Sequence, residues 1–278
     1  MYNSISGYFK LAFKNISKNP ILIVPKCILL LVYLLSFVIG YFFIDNIREN
    51  SLIVIIGMLV LVALFEIITE SGVLNMIKIS MKEKPTLKDF IYGVKKYSGR
   101  ILLGNILITV IATLVLFLFT QIIITQQNQV LGNFLMKDIV HYDGNSIITT
   151  AIVAFIILII PFVIFCFLIS FWKFILVNED CDIQKSFSMS IKFVKKNIGL
   201  TIVISILDST LTNIKGSKEF KYNSNFIAKY NDLISYGYFN MMWICLIIIL
   251  KTLLNIYFNI IYFNIYVDRK SCIEEIKE

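Results

Sequence analysis

A helix must carry about 20 predominantly apolar residues to cross roughly 30 Å of hydrocarbon. This chain meets that requirement six times over, from Ile21 to Ile44, Leu52 to about Ser71, Ile101 to Thr120, Ile147 to Trp172, Ile198 to Ile214 and about Leu233 to Val267. The third and fourth stretches contain no Asp, Glu, Lys or Arg, and the first contains only Lys26. The second includes Glu66, the fifth Asp208 and the sixth Lys251. The pattern predicts an all-α fold, a polytopic membrane bundle of six transmembrane helices.

Lysine and arginine are retained in cytoplasmic segments near span ends, so their distribution orients the bundle. Eighteen of the 26 fall in the segments before the first span, between the second and third, between the fourth and fifth, and after the sixth. Only Arg48, Lys137, Lys215, Lys218, Lys221 and Lys229 fall on the other side. Both termini are therefore expected in the cytoplasm. This partition accounts for the net charge of +8 without a nucleic-acid partner.

Composition narrows the class further. With 58% hydrophobic and 16% charged residues, the chain is far from the soluble average of about 25% charged. No short apolar core with a small-residue cleavage site precedes Ile21, so the first stretch is expected to stay in place as a signal-anchor span. Heavy use of Ile, Lys, Asn and Tyr points to an AT-biased, bacterial genome and so to the plasma membrane. None of the five cysteines, Cys27, Cys166, Cys181, Cys245 and Cys272, lies in an expected external loop, which argues against a disulfide framework. His141 is the sole histidine, and neither a Cys-x-x-Cys pair nor a His-Glu-x-x-His segment occurs. Walker-type, nucleophile-elbow and dinucleotide-binding glycine motifs are also missing. No cofactor or metal is expected, and any ATP-driven role would need a separate ATPase subunit.

The segments before the first, third and fifth spans align on Phe9, Phe90 and Phe187. Each then shows a small residue (Ala12, Gly93, Ser190), an apolar one (Phe13, Val94, Ile191), a lysine (Lys14, Lys95, Lys192) and another apolar or aromatic residue (Ile16, Tyr97, Val194). One domain, 1–278, thus reads as three repeats of an amphipathic segment plus two spans, at about 1–80, 81–178 and 179–278. Helical apolar spacing leaves lysines on the opposite side of each segment. Lys88, Lys95, Lys96, Lys185, Lys192, Lys195 and Lys196 then offer a surface for anionic lipid or a partner, although anchoring of span ends explains the same residues.

The run Leu87-Lys88-Asp89-Phe90-Ile91-Tyr92-Gly93-Val94-Lys95-Lys96 and its counterpart from Ile183 to Asn197, each leading into a span, carry a resemblance. In them the chain resembles a group of bacterial six-span membrane proteins of unknown function that includes the membrane domain attached to glycerophosphodiester phosphodiesterases. The resemblance implies the membrane architecture, and the 278 residues hold no phosphodiesterase domain.

Charged groups inside hydrocarbon are costly, so each is a candidate site with a partner to be sought. Lys26 lies near the start of the first span, and Glu66 and Glu70 lie one turn apart near the end of the second. Lys26–Glu66 pairing, a structural ion pair with Glu70 and a two-carboxylate cation site are the readings. The sixth span carries Lys251, Asn255, Asn259, Tyr262 and Tyr266 at helical spacing, a polar seam that faces protein or water. Asp208 lies about 15 Å along the fifth span and Lys251 roughly 24 Å from the end of the sixth; the depths differ by about 9 Å, but the sixth stretch is longer than a bilayer requires and both side chains reach along the span, so the two are candidates to pair. Pro161 is expected to kink the fourth span. Only Glu66, Glu70 and Asp208 could serve catalysis, and none stands beside a nucleophile, base or metal ligand in sequence. The function expected is therefore non-enzymatic: a scaffold, accessory subunit or transporter-like bundle, or alternatively the permease subunit of an ATP-driven exporter.

Overall fold

The structure is a computed structural model that describes residues 3–44, 51–135, 149, 151–212 and 230–271. Every regular element among them is helical. Helix α1 (Ile5–Lys18) opens on Ser4, whose hydroxyl accepts the Gly7 N–H at 3.2 Å. It stops at Asn19, whose backbone leaves the helical region (φ −129°, ψ 64°) at the residue before Pro20. The chain then bends by 95° through a 3-10 turn, Pro20–Ile23, into α2 (Val24–Ile44).

Helix α3 (Ser51–Ser80) returns, and α4 (Leu87–Leu135) leaves again from a capping box in which the Asp89 carboxylate accepts from both the Thr86 N–H and hydroxyl at 2.7 Å. Its start differs from the sequence expectation. The second amphipathic segment does not form its own helix, because Gly99 and Arg100 continue the helix into the span where Asn19 and Asn197 end the equivalent turns.

The next span contains a π-helical turn, Phe155–Ile159, before α5 (Ile160–Leu168), so Pro161 sits at the start of a helix whose preceding turn absorbs its missing N–H. The chain breaks at 169–171 and resumes as α6 (Trp172–Glu179). Ser190 bridges this break, accepting the Phe171 N–H at 3.1 Å and donating to the Leu168 carbonyl at 3.0 Å. Asp180, in the left-handed region at φ 49°, turns the chain toward α7 (Ile183–Lys196). Helix α8 (Ile198–Thr212) and the long α9 (Tyr230–Arg269) complete the described chain.

Four of these segments are long and apolar enough to cross a membrane, and five if the bent α1–α2 pair is one span. Among the described residues α8, with 15 residues, is shorter than a span requires, so the sequence expectation of six is met only in part. Outward faces remain apolar: Leu31, Leu59, Leu103, Ile157 and Ile206 are exposed, as lipid-facing positions are.

The packed core lies at one end. Tyr8 and Ala12 of α1, Val73 to Ile77 of α3, Phe171 to Val177, Phe193 and Ile260 to Tyr266 interlock there, with Phe174 stacked on Tyr262 at 5.3 Å. The aligned amphipathic positions converge on it. Ala12 and Ser190 are fully buried, and a Cβ on Gly93 would stand 2.5 Å from Asn75 Cβ and 3.0 Å from the Ser71 carbonyl, so glycine permits α3 and α4 to touch. Lys14, Lys95 and Lys192 are exposed. Each amphipathic segment packs against the end of a returning span: α4 on α3, α7 on α6, and α1 on α9. The last contact joins the chain ends, with Tyr8 donating to Asp268 at 2.6 Å and Asn3 N–H at 3.1 Å.

Candidate functional site

Beyond the core end the helices separate, and polar side chains line two adjoining clefts. The first, about 580 Å³, lies between α2, α3, α8 and α9 and is walled by Lys26, Tyr33, Glu66, Asp208, Lys251 and Asn255 among others. The second, about 550 Å³, lies between α3, α4 and α6 and holds Glu70, Lys173, Asn105 and Thr109. Glu66 and Asn255 line both and form the wall between them.

Within these clefts the charges are unequally satisfied. Lys173 donates to both Glu70 oxygens at 2.8 and 3.0 Å and lies 5.8 Å from the Trp172 ring centroid. Lys26 is only 3% exposed and sits in the field of Glu70 and Glu66 without a direct ion pair to either. The close partner of Glu70 is thus Lys173, carried inward because the break at 169–171 redirects the chain. Tyr33, two turns beyond Lys26 on the same face of α2, lines the same cleft as Glu66.

Asp208 accepts a hydrogen bond from Tyr262 at 3.3 Å. Lys251 is exposed to the same cleft, and the two form no ion pair with each other. Asn259 is buried and donates to the Asn255 side-chain oxygen at 3.2 Å, so this part of the α9 seam is closed by its own hydrogen bond.

The structure therefore gathers Lys26, Glu66, Asp208, Lys251 and Asn255 around one cleft, with Glu70 in the next. Sequence reasoning missed Lys173, which looked like an anchor at the end of the fourth span. It also missed Asn105 and Thr109, whose polarity inside an otherwise apolar stretch was the available signal. No group of His, Cys, Asp and Glu suited to a metal ion occurs among the described residues.

The lysines expected on a lipid or partner surface are divided. Lys88, Lys95, Lys185, Lys192, Lys195 and Lys196 are exposed. Lys96 instead holds Asp180 at 2.6 Å, with Arg100 adding a second contact at 3.1 Å, and lies over the Tyr92 and Tyr97 rings. The Lys96 hydrogen bond, with lesser help from Arg100, keeps the Asp180 carboxyl below the usual carboxylate range. Lys78 donates to the Val177 carbonyl at 2.8 Å, tying α3 to the same turn.

Residues 4–214 match the family described as a domain of unknown function, DUF7847. The chain belongs to that family. The match runs from α1 through α8 and stops before α9, which supplies Lys251 and Asn255 to the first cleft. No curated protein and no solved structure matches the chain.

Proposed function

We propose that this DUF7847 member is a non-enzymatic, transporter-like protein of the bacterial plasma membrane, with six crossings and both termini in the cytoplasm. Its clefts bind a small polar molecule or headgroup at the depth of the hydrocarbon. The observation that carries this reading is the convergence of Lys26, Glu66, Asp208 and Lys251 from four helices on one cleft. Holding charge at that depth is expensive, and a purely structural bundle would have done as well with apolar residues.

Parity supports six crossings. Ser80, at the end of α3, accepts from Asn15 of α1 at 3.0 Å, and Asp268 of α9 holds Asn3 and Tyr8. The turn after α6 joins this end through Lys78 and Lys96. Asn3 and Asp268 meeting at one end fits an even number of crossings, and six is reached with the short α8 as one of them. The exposed lysines of α4 and α7 then face the inner leaflet and its anionic lipid.

The test is what the protein retains after mild-detergent purification, read by native mass spectrometry. A bound polar species present on the wild-type chain and lost from Glu66→Gln and Asp208→Asn is expected. An identical bound complement on all three would refute the cleft as a ligand site.

A further inference from the structure

Four of the six charges around the clefts compensate one another: Glu70 is held by Lys173, and Lys26 lies between the fields of Glu70 and Glu66. Two remain. Among the described residues the Asp208 carboxylate has only the Tyr262 hydroxyl, and Lys251, on α9, has no carboxylate within ion-pairing distance. They have opposite sign, line the same cleft of about 580 Å³, and form no ion pair with each other. A ligand carrying both charges on one small frame would satisfy both at once, whereas a singly charged ligand would leave one intramembrane charge without a counterpart.

We infer that the α2–α3–α8–α9 cleft takes a zwitterion, its ammonium group on Asp208 and its anionic oxygens on Lys251, with Asn255 as a further hydrogen-bonding group. The inference rests on reading the cleft as a ligand site and names the class of that ligand. Two sources share the chemistry: a free amino acid, and the phosphoethanolamine headgroup of a lipid. The lipid form fits the apolar flanks, since Ile28 and Leu31 of α2 and Leu250 and Leu253 of α9 are exposed beside the cleft and offer acyl-chain contact.

Thr252→Cys provides a reporter in the cleft wall, in a full-length background whose five native cysteines are replaced by alanine. The measurement is the rate of alkylation by a small hydrophilic thiol reagent, with L-alanine and short-chain phosphatidylethanolamine as probes. Propionate, ethylammonium and short-chain phosphatidylglycerol serve as singly charged comparators. At ten times its dissociation constant a site-bound probe slows labelling about tenfold, because the free fraction falls in that proportion. One zwitterionic probe should do so while the comparators do not, and the probe that protects identifies the source. Asp208→Asn and Lys251→Met should each abolish protection, with Lys88→Gln retaining it. The same rank order is expected for probe-induced rises in Tm of the chain with its native cysteines, which covers a cysteine-free background that folds poorly. Protection by the comparators, by neither zwitterion, or undiminished in the two variants overturns the zwitterion while leaving an accessible cleft intact. A Thr252→Cys chain that is folded but never labelled overturns the cleft reading and the zwitterion with it.

Discussion

Removing Glu70 should destabilise the fold more than removing Lys173, although the two form one ion pair. Lys173 Nζ lies 2.8 Å from Glu70, with side-chain exposures of 24% and 17%. At that distance and an effective dielectric of about 20, the gross attraction is about 6 kcal/mol. Desolvation of both ions offsets most of it, so losing one partner of a fully buried pair costs about 3–5 kcal/mol and losing both costs little. Residual exposure lets water reach the orphaned ion here, which lowers the single-variant cost to about 2–3 kcal/mol. The asymmetry comes from Lys26, for which Glu70 is the stronger of its two carboxylate neighbours. In Lys173→Met, Glu70 still has Lys26. In Glu70→Gln, Lys26 and Lys173 share only Glu66 and repel each other. On the scaling for domains of this size, Glu70→Gln should lower Tm by about 5–10 °C and Lys173→Met by less. Replacing both by methionine should recover much of the loss. Thermal unfolding in mild detergent measures all three. Equal single losses, or a double variant that falls by the sum of the singles, would refute the network.

Three further outcomes follow from the same geometry. Gly93→Val should cost about 1–3 kcal/mol, because its side chain meets the α3 backbone at Ser71 and Gly72, whereas Gly99→Ala, with open space around it, should gain about 0.5–1 kcal/mol; both are read as Tm shifts. Asp208→Asn and Lys251→Met should change stability, read from Tm, by amounts that add within about 0.5 kcal/mol in the double variant, since the two do not touch; recovery in the double would show a direct pair. The Asp180 carboxyl is depressed by Lys96, so its contribution is present above the ordinary Asp pKa of about 3.9 and is lost as pH falls through the lower folded value. Asp180→Asn should therefore flatten the acid limb of the Tm–pH curve and leave its neutral plateau nearly parallel, and an unchanged acid limb would remove Asp180 from the account.

Hydropathy made the helices legible because the bilayer sets their length, and the apolar runs at Leu52, Ile101 and Leu233 all lie within observed helices. It could not show where a helix stops for reasons of tertiary contact. The break at 169–171 occurs inside an unbroken apolar run and is stabilised by Ser190, a residue of the following helix. Consequently Lys173 read as an anchor and Glu70 lacked its partner. The polar residues of the first cleft were legible one by one, since each stands out against hydrocarbon. Their convergence was not, because spacing along one helix carries no information about which neighbour its polar face meets. For Asp208 and Lys251 the axial depths already differed by about 9 Å, and Asp208 bonds instead to Tyr262, about three helical turns along α9 from Lys251.

The central claim, a polar cleft bordered by lipid-facing surface, is tested most directly by a cysteine scan from 246 to 255 along α9 in intact membranes. Reactivity toward a small hydrophilic thiol reagent should peak at Ile248, Lys251, Thr252 and Asn255, which line the first cleft at helical spacing. It should fall at Ile249, Leu250 and Leu253, which are exposed on the apolar side. Reactivity without helical phase, or highest at Ile249, Leu250 and Leu253, would contradict the cleft.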